Sequence, residues 1–441
     1  MPSHKAAWIW LAAKEWRELI ASRAYWVLLA AIGPLVGVAF INAVQSYAEV
    51  SGLGGTSAGV GEALSPLIGV WAPTFSACEL AAVFLLPFVC IRLVAGDKQS
   101  GALKLEAQHP MPTFARISAK AFVLLAGSLI ASLAPILAIL LWKSYGGTIY
   151  FPELAVIAAG HILNAGLTVA FAAAAAAITD HPSTAAIVTL SITVGTWIIN
   201  FVAAVQGGIW ERIANFTPTA MVAEFQHGLL RLDMILLSVL LILAGLIFTT
   251  IWMRIGTTLQ RRTAESLALL AVAAIAAAAC GLVNLSWDES ENRMNSFSQA
   301  DESALRQIRK PLRIEAHLAP EDPRRTDLER KALSKLRRLL PSLKVEYIAA
   351  TSIGLFEQTN AHYGEVWYDL DGRKEMSRIT TAEGVLETIY GLADITPPAD
   401  NQSAFRGHPL PVPPKGAALV FYGIWPIAVI GCAITFSKRT K

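Results

Sequence analysis

Eight apolar runs of about membrane length constrain this chain more than any other feature. They cover residues 25–43, 75–94, 120–141, 152–178, 183–205, 234–253, 266–283 and 417–436. About 20 residues at 1.5 Å rise each cross a hydrocarbon core roughly 30 Å thick. No water reaches the backbone there, so each run must satisfy its own peptide groups and is predicted to be a helix. Between the seventh and eighth runs lies a polar segment of soluble-domain size, residues 285–415. The expected fold class is an α-helical polytopic membrane protein of about eight transmembrane helices. A small α+β extracytoplasmic domain is inserted between helices seven and eight.

Composition supports the runs as the dominant fact. Of 441 residues 54% are hydrophobic and 16% charged, against about 25% charged in a soluble domain. A net charge of +3 is too small to imply a nucleic-acid partner. Cys78, Cys90, Cys280 and Cys432 all fall in or at apolar runs, so no disulfide framework is expected. There is no P-loop, HExxH or CxxC phrase, and no catalytic or metal-ligating set is assigned. If ATP drives this protein, ATP and Mg belong to another chain.

Ahead of the first run, residues 1–24 read as an amphipathic helix. Trp8, Leu11, Ala12, Trp16, Leu19 and Ile20 fill one face, and Lys14, Glu15, Arg17, Glu18 and Ser22 the other. Within the first run, Gly33-x-x-x-Gly37 predicts close helix packing. Gly55-Thr56-Ser57-Ala58-Gly59 matches a nucleophile-elbow pattern, but no strand precedes it, and it is read as a flexible loop.

The stretch between the second and third runs, residues 95–120, is expected to be a polar loop. It holds Asp97, Gly101, Leu105, Pro110, Arg116 and Lys120. In order of elements it resembles the cytoplasmic loop of ABC-2-type permeases, with Ala119-Lys120 in place of the usual Gly-Lys and Asp97 in place of Glu. Lys14-Glu15-Trp16-Arg17 resembles the elbow helix with which those permeases begin. Phe216-Thr217-Pro218 and Phe225-Gln226-His227-Gly228 resemble their close. The resemblance covers about residues 6–256, so 25–256 is expected to be a six-helix permease domain. It implies that the loop and elbow dock on a separate ABC ATPase subunit, and that two permeases pair as a homodimer or heterodimer. Residues 257–284 then add a seventh helix, and 416–441 an eighth with a basic tail.

Basic residues cluster at Lys5–Arg23, Arg92–Lys120, Arg254–Arg262 and Lys438–Lys441. With eight helices all four sets fall on one side, which the positive-inside rule makes cytoplasmic. Both termini are then inside, in the inner membrane if the cell is Gram-negative, and 285–415 is outside.

In that segment, residues 312–318 and 343–349 alternate as strands, with a helix from Pro323 between them. A hairpin turns at Asp371-Gly372, and Thr380-x-x-Glu383 reads as the capping box of a last helix. Asn292 to Ser298 and the strand after Pro311 resemble the opening of the auxiliary extracytoplasmic domain of gliding-motility-type ABC systems. The resemblance implies substrate or periplasmic-partner contact. Glu315-x-His317 lies on one strand face, read as solvated, and the basic helix Arg324 to Arg338 is read the same way.

Polar residues inside the runs are expensive and mark cavities or pairs. His161 and Asn164 share a helix face at i, i+3 and are the candidate substrate path. Glu79 and Arg92 are placed near the interface. The functional expectation is a permease subunit of an ABC-2-type exporter. A membrane scaffold anchoring a periplasmic assembly is the alternative.

Overall fold

A computed structural model describes residues 4–52, 64–106, 108, 111–206, 209–319, 322–340, 342–348, 362–398 and 405–439. The Gly55–Gly59 phrase, Pro110 and Glu321 lie outside these residues. In chain order the first elements are α1 (His4–Ala21), α2 (Arg23–Gly52), α3 (Leu67–Ser100), α4 (Ala102–Glu106), α5 (Thr113–Ser144) and α6 (Phe151–Ile178). Next come α7 (Pro182–Gln206), α8 (Ile209–Ala214), α9 (Pro218–Gln226), β1 (Leu229–Arg231), α10 (Leu232–Met253), α11 (Leu259–Cys280) and β2 (Ser286–Asp288). After these follow α12 (Gln299–Leu305), β3 (Leu312–Ala316), α13 (323–339), β4 (Lys344–Tyr347), β5 (Val366–Leu370), β6 (Arg373–Ser377), α14 (Ala382–Ala393) and α15 (419–439).

Among the described residues, eight helices are long and apolar enough to cross a membrane: α2, α3, α5, α6, α7, α10, α11 and α15. The chain has the form of a multi-pass membrane protein with a small sheet region. Contacts divide it into two units. One comprises Met1–Ile198, Phe216–Glu289 and Phe405–Lys441, and the other Ile199–Asn215 with Ser290–Ala404.

The helices overrun their apolar runs, and this corrects the expected loop at 95–120. Ala95 to Ser100 continue α3 until Gly101, whose φ of 75° ends the helix in the left-handed region that glycine enters freely. One short helix follows, and α5 has begun by Thr113. Asp97 and Lys120 therefore sit on helices, not in a loop.

Within the larger unit, the Gly33/Gly37 stripe is filled by α15. A Cβ on Gly33 would lie 2.1 Å from Trp425 Cδ1, and one on Gly37 2.5 Å from Phe421 Cβ. The Trp425 indole also donates to the Leu29 carbonyl at 2.7 Å. The proline-rich stretch before α15 is tied to the end of α2. The Tyr47 hydroxyl donates to the His408 carbonyl at 2.8 Å, and the Leu410 N–H to Ser51 Oγ at 3.0 Å. Residues 286–288, placed with the soluble segment on sequence, instead pair antiparallel with β1.

The smaller unit holds a four-stranded sheet in order β4-β3-β5-β6, with β3 parallel to β4 and antiparallel to β5. Leu312, Ile314, Ala316, Val366, Tyr368 and Leu370 alternate inward onto the apolar faces of α13 and α14. The cap of α14 is Thr381 rather than Thr380: its hydroxyl accepts the Gly384 N–H at 3.3 Å. Several basic residues of α13 have local partners. Arg324 pairs with Asp322 at 2.7 Å, Arg330 with Asp327 at 3.4 Å and Arg337 with Glu329, while Arg325 lies 4.0 Å over the Tyr347 ring.

Candidate functional site

Close packing of α1 on the first half of α5 builds the principal site. The Trp8 ring lies 5.4 Å from Phe122, and its indole donates to Ser118 Oγ at 3.3 Å. Gly127 leaves the room that Leu19 and Tyr25 fill; a Cβ there would meet Leu19 Cδ2 at 2.7 Å. The Tyr25 hydroxyl then donates to the Gly127 carbonyl at 3.0 Å. This register turns Glu15 inward, although the helical pattern assigns it to the polar face.

Lys120 Nζ lies 2.6 Å from Glu15 Oε1 and 2.5 Å from Asp97 Oδ2, the second contact being an ion pair outside hydrogen-bond angles. Lys14 Nζ lies 2.5 Å from Glu106 Oε1, 3.3 Å from Glu15 Oε1 and 4.0 Å from Asp97 Oδ1. Glu15 is fully buried and Lys120 and Asp97 nearly so, at 0%, 2% and 5% exposed. Four elements, α1, α3, α4 and α5, thus meet in one knot of charge.

Three carboxyls face two ammoniums here, so full ionisation would bury a net negative charge, which is costly. Burial accordingly pushes the Glu15 carboxyl above the usual glutamate range; Lys120 and Lys14 pull it back only in part, and Asp97 adds to the rise. Burial draws the Lys14 ammonium down, but the hydrogen bond it donates to Glu106 and the charges of Glu15, Asp97 and Glu106 outweigh it and hold it above the usual lysine range. The carboxyl oxygens of Glu15, Asp97 and Glu106 lie within 4.8 Å of one another, close enough for a cation. Lys14 and Lys120 already stand against them, and the group reads as an ion-pair cluster rather than a metal centre.

Around the knot, the remaining expected residues divide. Leu105 on α4 is 67% exposed, and Phe114 in the first turn of α5 is also exposed. Arg116 is instead buried; its Nη2 donates to Thr113 Oγ1 at 3.2 Å, while Nε and Nη1 have no hydrogen-bond partner among the described residues. Trp16 is half-buried and Arg17 exposed. Lys98, at the end of α3, donates to the Thr179 carbonyl at 2.8 Å and so caps the C-terminus of α6, where a cation is favoured.

A second feature lies inside the helix bundle. A cavity of about 400 Å³ opens between α3, α6, α7 and α9. Its polar lining includes Glu79, Asn164, Thr168, Thr193 and Gln226. Glu79 Oε2 accepts from Gln226 Nε2 at 2.9 Å, and Gln226 Oε1 accepts from Ser76 Oγ at 3.0 Å. Helix α9 is held in place by Phe225, which packs onto Gly160 of α6.

His161 and Asn164, paired on sequence, part company here. Asn164 lines the cavity. His161 sits behind the wall: its Nε2 lies 3.0 Å from Ser132 Oγ, and its Nδ1 4.0 Å from Glu79 Oε1. Glu79 is buried and faces the cavity. A glutamate well inside a long apolar helix was the signal for it. Gln226, in a short polar helix, carried none.

Compared with protein-family models, with curated proteins and with solved structures, the chain matches none.

Proposed function

We propose that this chain is the permease subunit of an ABC-2-type transporter. It couples ATP hydrolysis on a separate ATPase subunit, which holds the ATP and Mg, to export of a substrate. The reading rests on the sequence resemblance and on one observation. Lys14 and Glu15 of α1 share a buried ion-pair cluster with Asp97, Glu106 and Lys120. A push on α4 at the exposed Leu105 would therefore reach α1 through Glu106 and Lys14, and α3 and α5 through the rest of the cluster. Packed helices joined in this way switch between discrete arrangements, which is what a transport cycle needs.

In this proposal both termini and α4 face the cytoplasm and the protein resides in the inner membrane. The α+β unit is extracytoplasmic, inserted between the seventh and eighth spans, and meets substrate or a periplasmic partner. Two permeases pair as a homodimer or heterodimer in the lipid bilayer. The test is to purify the tagged protein from its own host in mild detergent, identify copurifying chains by mass spectrometry and assay ATP hydrolysis. A stoichiometric P-loop ATPase with vanadate-sensitive turnover is expected. A stable, monodisperse sample without one overturns the transporter reading and favours a membrane scaffold for a periplasmic assembly.

A further inference from the structure

The cavity between α3, α6, α7 and α9 has one ionisable lining residue, Glu79, and no lysine or arginine among its described lining. That carboxyl is 5% exposed, and its only described hydrogen bond comes from the neutral amide of Gln226. Its nearest described nitrogen of a basic side chain is His161 Nδ1 at 4.0 Å, which itself has no hydrogen-bond partner among the described residues. Asn164, 6% exposed, turns to the same space with its side-chain amide making no hydrogen bond among the described residues. Leu80, Val83, Phe171 and Trp197 give much of the wall an apolar and aromatic face, beside the hydroxyls of Thr168 and Thr193.

We propose that this cavity binds an amphipathic organic cation, its charge against Glu79 and its apolar body against Phe171 and Trp197. The chemistry selects that class. A carboxyl buried in a bilayer without a basic partner is expensive as an anion until a cation stands beside it. Aromatic faces add attraction for the same charge. A volume of about 400 Å³ falls within the roughly 300–1,000 Å³ of small-molecule sites. An anionic ligand meets like charge at Glu79, and a wholly polar one meets a wall that is mostly apolar. The inference deepens the transport reading, on which its naming of a substrate class rests. The binding event itself needs no ATPase.

The experiment titrates the purified full-length protein in nanodiscs, by calorimetry, with tetraphenylphosphonium and separately with tetraphenylborate. These ions share a shape and differ in the sign of their charge. Saturable binding of the cation, at least tenfold weaker binding of the anion, and at least tenfold loss of cation affinity in Glu79→Gln are expected. Binding neither ion, binding both alike, or unchanged cation binding in Glu79→Gln overturns the proposal. The wild-type contrast between the two ions stands even if the variant fails to fold. Selective cation binding without any copurifying ATPase would keep the cavity's ligand class while removing the transport reading. An active ATPase complex indifferent to the cation would do the reverse.

Discussion

Two groups of buried charge in the membrane unit are satisfied in opposite ways. Around Lys120, two ammoniums and three carboxyls close on one another, and each ammonium stands against carboxyls of the same chain. Around Glu79, the carboxyl is held by a neutral amide and looks into open space. Completed pairing fastens helices together, whereas incomplete pairing leaves a group able to take a partner from outside. The first group is therefore read as a mechanical joint and the second as a binding site.

Removing a cation from the joint should have the largest effect. Lys120→Met leaves Glu15 and Asp97 facing each other in a buried place, and breaking a buried pair from one side costs about 3–5 kcal/mol. Denaturant titration of the detergent-solubilised protein measures this. The triple variant Lys120→Met, Glu15→Gln, Asp97→Asn removes the charges together and should recover more than half of the loss. A triple variant no more stable than Lys120→Met would mean that the loss does not come from carboxyls left without their ammonium.

The surplus carboxyl predicts a pH dependence of intermediate size. Because the folded-state value of Glu15 is raised, its contribution is fully present below the ordinary glutamate value of about 4.3. It is lost as pH rises through the folded value. The stability of the wild type relative to Glu15→Gln should thus fall as pH rises above about 4. A difference that grows with pH would contradict the count of three carboxyls against two ammoniums. The smallest effect is expected at the cavity. Glu79→Gln keeps the shape and can still pair with Gln226, so stability should change by no more than about 1 kcal/mol. A loss as large as that of Lys120→Met would make Glu79 part of the joint and erase the comparison.

Helix number and type were legible because an apolar run of membrane length has one solution in a bilayer. Helix ends were not. Gly96-Asp97-Lys98-Gln99-Ser100 looks like a loop by polarity, yet Asp97 and Lys98 find ion-pair and carbonyl partners that keep them helical as far as Gly101. Strand alternation exposed the sheet of the small unit, while the choice of Thr381 over Thr380 depended on which hydroxyl reaches an N–H three residues on. Asp97, Lys120, Lys14 and Glu15 stood out only through family likeness, as docking residues. That they grip one another could not be read, because Glu15 and Lys120 are 105 positions apart and no local period links them. The Gln226–Glu79 contact was hidden for the same reason.

The central claim is that the joint carries motion from an ATPase into the helices. The most direct measurement is ATP turnover of the purified complex carrying the charge-neutral triple variant, compared with wild type at equal, verified monodispersity. If the joint transmits the stroke, turnover should fall several-fold while the ATPase remains bound. Unchanged turnover in a well-folded triple variant would contradict the account and leave the cluster as a fastening alone.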